Sequence, residues 1–420
     1  MSRMSRVLSL LFAMFVIAGL FATTFDLSAQ DKKSKKVDKD KKVDKDKKDD
    51  KDKKEEKKEP FKAEPAQQEF TYLLKTDKDE SGKRFWVTNV AFGPDGKTVA
   101  ATYRDNTIKV WDLGAKKDIV SIKPPTIKGL GEYHGLLYAD SKLYIGTGTL
   151  IIYKDKPKDP IKDKAKEPVK DKGKEKPKER PIRAGEVKVF DAKTGAPAKS
   201  LIGHDLNIDA LGLSKDGKLL VTGSDDGTVK IWDLSNGTNT QTIKAHGDTV
   251  TGVAFSPDAK QVVTTSMDRT VRVWDVAGAK ELASFKIERE VEKKDAKGKV
   301  SKTKESGRDF THALFTNDGK KVVAANRDGV IKIYDVDGKK ELKEIKAPDG
   351  ILAMAVNADG SRIATGGYDQ SIKIWDADGK DLRTIKAHLG NVLSLSFSPD
   401  SQLLASGGTD GVVKIWALKK

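Results

Sequence analysis

The sequence predicts an all-β protein, a ring of seven similar blades. Three observations carry that expectation. The stretch Gly203–Asp233 recurs along the chain. Apolar residues alternate within it, in Leu219–Val221 and Val229–Ile231, around turns marked by Gly217 and Gly227. Charged insertions coincide with every large departure from a constant period. Short apolar runs separated by a glycine turn signal paired strands, and repetition at a fixed period signals an array of such units.

The register follows from one aromatic position. Trp111, Phe190, Trp232, Trp274, Tyr334, Trp375 and Trp416 hold the same place in their units. Trp232 to Trp274 is 42 residues, and the steps from Tyr334 to Trp375 and from Trp375 to Trp416 are 41 each. The steps Trp111 to Phe190 and Trp274 to Tyr334 are 79 and 60 residues, and each spans a charged low-complexity stretch. With the excess removed, residues 66–420 divide into seven units of about 43, the length of one four-stranded blade.

Specific dipeptides stand at these positions. Trp-Asp occurs at Trp111–Asp112, Trp232–Asp233, Trp274–Asp275 and Trp375–Asp376, with variants Phe190–Asp191, Tyr334–Asp335 and Trp416–Ala417. Gly-His stands at Gly203–His204 and is degenerate at Ala245–His246 and Ala387–His388. In these features the chain resembles the WD40-repeat β-propellers over about residues 66–420. The last unit stops soon after Trp416 and lacks a fourth strand, while Phe70–Leu74 is a strand-like run with no unit of its own. The resemblance implies that this N-terminal strand completes the last blade. An open ring would leave unpaired strand edges, which invite association.

Residues 1–29 read as an export signal. Arg3 and Arg6 precede an apolar run from Val7 to Ala22, and small residues stand before Gln30. The expectation is a periplasmic or extracellular protein. The alternative is an uncleaved anchor, since the run to Phe25 is nearly long enough to span a bilayer, and membrane contact is expected only in that case. The chain has no cysteine, which excludes disulfides, thiolate metal sites and cysteine nucleophiles. Residues 30–65 are dominated by Lys, Asp and Glu and read as a disordered tether.

Two charged loop insertions are expected, at about 154–183 within blade two and about 287–309 before blade five. Proline recurs through the first, so extended backbone is expected there. The formal net charge is +16, but the export segment, tether and insertions together hold +13 of it. The blades themselves are near neutral, which argues against specific nucleic-acid binding. Weak polyanion contact through the Lys-rich segments remains an expectation.

Histidine, hydroxyl and aspartate recur together, which superficially suggests a nucleophilic triad. A triad has no reason to repeat with the blade. The resemblance implies instead structural tetrads, His204–Thr222–Asp226–Trp232, His246–Thr264–Asp268–Trp274 and His388–Ser406–Asp410–Trp416, locking strands within blades three, four and seven. The other blades depart from the pattern: Pro348 replaces the histidine in blade six, Lys83 and Ala101 stand in blade one, Ala324 takes the hydroxyl position in blade five, and blade two lacks both landmarks. Less rigid blades are expected there.

His134 and His312 are read as sharing one register on the inner strands of blades two and five, as structural or channel-lining residues. No metal site or cofactor is expected. No glycine-rich loop opens a helix, so phosphate-loop and dinucleotide readings fail. Acidic turns such as Ser224–Asp225–Asp226–Gly227 lack the spacing of a calcium loop.

In the WD40 family, partners most often dock on the top face around the channel mouth. The resemblance places there Trp86, Thr88 and Arg104 from blade one, and Tyr133 from blade two. Asn207, Asp209 and Asp225 come from blade three, and Thr249, Thr251 and Met267 from blade four. Blade five gives Asp309, Thr311 and Arg327, blade six Leu352 and Tyr368, and blade seven Asn391, Leu393 and Thr409. The expected function is a non-enzymatic scaffold binding a protein or peptide there. The alternatives are an extracytoplasmic propeller lyase or hydrolase, and an adhesion module working through the Lys-rich segments.

Overall fold

A computed structural model describes residues 70–75, 82, 84–123, 133–148, 150–152, 182–286, 288–294, 300–347 and 349–418. The export segment, the tether, residues 154–181 of the first insertion, Lys83 and Pro348 lie outside them. The described chain is built from strands. Blade three shows the plan: Ile208–Leu213, Leu219–Ser224, Thr228–Asp233 and Thr238–Lys244 form an antiparallel sheet in sequence order.

The blades close into a ring. Their first strands are Val87–Phe92, Tyr133–Ala139, Ile208–Leu213, Val250–Phe255, Phe310–Phe315, Ile351–Val356 and Val392–Phe397. Each packs against the first strand of the next blade, and the last packs against the first. Phe70–Lys75 pairs antiparallel with Val412–Ala417 and supplies the fourth strand of blade seven. The ring is therefore seven-bladed and closed by the N-terminal strand.

The core lies between blades. Seven apolar clusters each join two adjacent blades. The aromatic that set the register always packs toward the preceding blade: Trp232 on Tyr144 and Val187 of blade two, Trp274 with Val229 and Ile231 of blade three. Second strands such as Thr98–Tyr103 are buried along their whole length. Outer strands such as Lys340–Lys346 are exposed and rich in Lys and Glu, which discourages edge-to-edge pairing.

Blade five differs at its landmark. Tyr334 replaces tryptophan and stacks on Phe285 of blade four, with ring centroids 4.2 Å apart. Ala324 provides no hydroxyl for it, and the buried Tyr334 hydroxyl has no hydrogen-bond partner. Burial pushes its proton affinity up, with Glu341 and Glu344 adding to the effect. Tyr334→Phe removes that unpaired group and keeps the stacked ring. We expect a gain of about 1 kcal/mol, read as a rise of roughly 2–4 °C in thermal midpoint. A lower midpoint would mean the hydroxyl has a partner.

The second insertion is not an irregular loop. Glu288–Lys294 and Val300–Ser306 pair as a two-stranded antiparallel ribbon. Its register sets Arg289 opposite Glu305, Glu290 opposite Lys304 and Glu292 opposite Lys302. Beyond it, Gly307–Asp309 already belong to the approach to blade five.

Topology also assigns the faces. In an antiparallel blade, the turns between first and second strands and between third and fourth strands share one face. The second-to-third turn and the connection to the next blade share the other, the top. The first insertion separates the second strand of blade two, Lys142–Thr147, from the third, Ile182–Asp191. The ribbon separates the fourth strand of blade four, Lys280–Lys286, from the first of blade five. Both insertions thus rise from the top face. Phe70 pairs with Trp416, at the end where the third strand of blade seven finishes, so the described chain starts and ends at the bottom.

Candidate functional site

Three blades contain a buried polar chain. In blade three, His204 Nδ1 lies 3.0 Å from Asp226 Oδ2 and His204 Nε2 lies 2.7 Å from Thr222 Oγ1. Trp232 Nε1 donates to the same hydroxyl at 3.0 Å. Blade four repeats this with His246, Thr264, Asp268 and Trp274 at 2.9, 2.7 and 3.0 Å. In blade seven, His388 meets Asp410 at 2.9 Å and Ser406 at 2.7 Å, and Trp416 donates to Ser406 at 2.8 Å. The hydroxyls of Thr222, Thr264 and Ser406 are fully buried beneath the tryptophans, so no substrate reaches them. These groups tie first-strand approaches to second and third strands.

The aspartates at the ends of these chains stay ionised. Burial raises the proton affinity of Asp226, but hydrogen bonds from His204 and Thr228 outweigh it and hold the carboxyl well below the usual carboxylate range. Asp268 is held down in the same way by His246 and Thr270, and Asp410 by His388. Thr228 and Thr270 donate to these carboxylates at 2.6 Å and are members that the repeat pattern did not single out. Blade six keeps one link, Trp375 Nε1 to Thr365 Oγ1 at 2.9 Å.

The top-face positions fall into a regular geometry. In six blades the residue preceding the first strand accepts, at its carbonyl, the N–H of the residue preceding the turn aspartate. This bond joins Arg104 to Trp86, Asp225 to Asn207, Met267 to Thr249, Arg327 to Asp309 and Thr409 to Asn391, at 3.0 to 3.2 Å. In blade six it joins Tyr368 to Gly350 at 3.3 Å. Side chains add to three of these pairs, one of them through the Asn391 N–H, which donates to Thr409 Oγ1 at 2.9 Å. The Arg104 guanidinium lies 4.4 Å from the Trp86 ring centroid, and Arg327 Nε lies 3.1 Å from Asp309 Oδ2.

A second set comes from β-bulges. All seven pairings of first and second strands shift register after the first residue. The residues left out of the ladder are Thr88, His134, Asp209, Thr251, Thr311, Leu352 and Leu393. A bulge re-aims its extra side chain, and all of these except Thr311 keep partial exposure. Thr88 bonds Thr102 at 2.8 Å, Thr251 donates to the Phe310 carbonyl of the next blade at 2.7 Å, and Thr311 donates to the Ala325 carbonyl at 3.2 Å. Leu352 and Leu393 offer apolar surface.

Blade two corrects the sequence reading. Tyr133 is not on the face: it is buried in the cluster between blades one and two, its N–H donates to Asn106 Oδ1, and burial pushes its hydroxyl up to about 12. His134 holds the bulge position instead. His312 does not share that register, because Gly135 and not His134 stands where His312 does. The first and second strands of this blade meet in a two-residue turn, Asp140–Ser141, with φ values of 45° and 59°, two residues shorter than the corresponding turns of the other blades. Burial and the nearby Arg327 guanidinium push His312 down to about 4.

Around blade three the face is acidic. His134 Nδ1 lies 3.3 Å from Asp209 Oδ1. Thr249 Oγ1 donates to Asp225 Oδ1 at 2.9 Å. Among the described residues, no three His, Cys, Asp or Glu side chains converge as metal ligands, and no helix is long and apolar enough to cross a membrane.

A family model for the WD domain, G-beta repeat, matches residues 75–112, 195–233, 237–275, 339–376 and 379–417. No curated protein matches the chain. The matches cover the first three strands of blades one, three, four, six and seven, and for all but blade one the outer strand before them. The first three strands of blades two and five, which adjoin the insertions, go unmatched. Five blades by pattern and all seven by structure make the chain a WD40-repeat β-propeller.

Proposed function

We propose that this protein is an exported, non-enzymatic interaction platform that binds a protein or peptide on its top face. WD40 propellers commonly serve as protein-interaction scaffolds and are generally non-enzymatic. One observation carries the reading. Positions that build the blade repeat from unit to unit, while the paired top positions do not. Those pairs are Trp86–Arg104, Asn207–Asp225, Thr249–Met267, Asp309–Arg327, Gly350–Tyr368 and Asn391–Thr409. A uniform scaffold thus presents a varied rim, with the Trp, Tyr and Arg types that dominate interface energies. Leu389, 89% exposed beside His388, adds an apolar side chain to that rim.

The deciding experiment is affinity capture from the protein's own cells, with a Trp86/Arg104/Arg327 triple-alanine variant beside the intact chain. These side chains are partly exposed, so the variant is expected to keep its thermal midpoint. A discrete partner should be captured by the intact chain and its recovery reduced at least tenfold by the variant. Equal capture by both removes the top-face assignment. A second reading draws support from the topology, since both charged insertions rise from this same face. Capture that vanishes at moderate salt, and on deletion of residues 154–183, favours a polyanion partner.

A further inference from the structure

The ring closes between blades seven and one, and the top of that seam has a chemistry of its own. Leu389, 89% exposed, is the most exposed large apolar side chain among the described residues. Its N–H donates to Asp410 Oδ2 at 3.0 Å, which holds its backbone against the turn Thr409–Gly411. The lead-in to blade one touches the same turn. A Cβ at Gly411 would stand 2.4 Å from Arg84 Cβ and 2.7 Å from the Phe85 carbonyl oxygen. Two residues beyond Arg84, the Trp86 ring lies under the Arg104 guanidinium, 4.4 Å from centroid to carbon. Leu389, Arg84, Trp86 and Arg104 thus fall on one short arc of the rim.

The carboxylates of this arc are already engaged. Asp410 accepts from His388 at 2.9 Å and from the Leu389 N–H. Asp105 accepts from the Thr107 N–H at 3.0 Å and from the Thr107 hydroxyl at 2.7 Å. Arg84 Nε, by contrast, is buried and has no hydrogen-bond partner among the described residues. A buried donor without an acceptor is costly, and a carboxylate is the group that best matches a guanidinium. Elsewhere on the rim, blade three presents Asp209 and Asp225. An acidic partner is repelled there and drawn to the seam.

We propose that the seam of blades seven and one docks an acidic–apolar segment of a protein partner: an apolar side chain against Leu389 and Trp86, and a neighbouring Asp or Glu carboxylate on Arg84. This rests on the top-face function proposed above and names the partner's chemistry within it. The carboxylate supplies the acceptor that Arg84 Nε lacks. The apolar side chain covers a leucine that is otherwise in water, which favours association in proportion to the area covered. Arg104 places a second positive charge at the edge of the same aromatic ring. The Lys-rich segments attract any polyanion, so charge alone does not define this site; the apolar contact beside it does.

The test is fluorescence anisotropy of the full chain with three short labelled peptides of alternating Leu–Glu, Ser–Glu and Leu–Gln, at about 0.15 M salt. The Leu–Glu peptide is expected to bind, and the other two about tenfold more weakly, since each lacks one of the two contacts. Leu389→Ser and Arg84→Gln should each weaken the Leu–Glu peptide by about tenfold. Lys339→Gln removes the same charge from an exposed turn between third and fourth strands, on the bottom, and should change nothing. Leu389→Ser alters only an exposed side chain, so it decides alone should Arg84→Gln fail to fold. Equal binding of the Leu–Glu and Ser–Glu peptides would assign the interaction to charge and overturn the proposal. Absence of Leu–Glu binding, or variants that bind it as the wild type does, would overturn it too. Those results leave capture of a partner of other chemistry on the top face standing. Seam binding of the peptide without any captured partner would remove the platform reading and leave the seam a peptide site.

Discussion

Removal of the chain before Gly82 is expected to open the ring, lower the thermal midpoint by roughly 10 °C or more and produce concentration-dependent association. The physical argument starts at the edge. Phe70–Lys75 covers the strand Val412–Ala417, and Leu74 packs in the cluster between blades seven and one. Burying one leucine contributes about 2 kcal/mol, and each ladder hydrogen bond about 1 kcal/mol. The loss is then on the order of 5 kcal/mol, a large share of a typical stability of about 5–15 kcal/mol. The exposed edge that remains, Val-Val-Lys-Ile-Trp-Ala, has one charge in six residues, which is the kind of edge that pairs with another chain. Melting curves and light scattering at two concentrations decide it. An unchanged midpoint in a monomeric truncated chain would mean that blade seven is stable with three strands.

That closure was legible because its logic is arithmetic: one unit lacked a strand, and one strand lacked a unit. The blade register was legible wherever a tryptophan and a hydroxyl stood ten residues apart, as Thr222 and Trp232 do. It slipped in blade two, where Phe190 replaces tryptophan and a shortened turn at Asp140–Ser141 removes the usual spacing. The slip put Tyr133 on the face, in the place that His134 holds at the bulge. A left-handed conformation at two successive residues is the mark of a tight hairpin turn, and neither aspartate nor serine announces it as glycine does.

Composition misled in the second insertion for a different reason. Interleaved Lys and Glu look like solvated chain when counted, and only the backbone pairing register shows the segment to be a two-stranded ribbon. Contacts between blades were equally beyond single-repeat reasoning. The meeting of Asp209 with His134 and of Thr249 with Asp225 depends on which first strand sits beside which turn. That adjacency belongs to the closed ring, and no one repeat contains it.

Within a blade, Thr264→Val is expected to cost about 2–4 kcal/mol, whereas Thr264→Ser is expected to cost far less. Asp268 is an ionised acceptor, so His246 carries its proton on Nδ1 and Nε2 accepts. Thr264 therefore donates to His246 while accepting from Trp274 Nε1. Valine keeps the shape and strands two buried polar groups at once; serine keeps the hydroxyl. The same reasoning applies to Thr222 in blade three, which shares none of these partners. Losses at independent sites add, so the double valine variant should lose about 4–8 kcal/mol and sit near the limit of folding. Because the carboxyl of Asp268 is depressed in the folded state, the contribution of this network is present above the unfolded-chain value of about 4. It is lost as pH falls further. Denaturant unfolding at neutral pH is the direct measurement. If valine and serine are equally damaging, the methyl packing and not the hydroxyl holds the blade, and the relay from tryptophan to carboxylate has no energetic role.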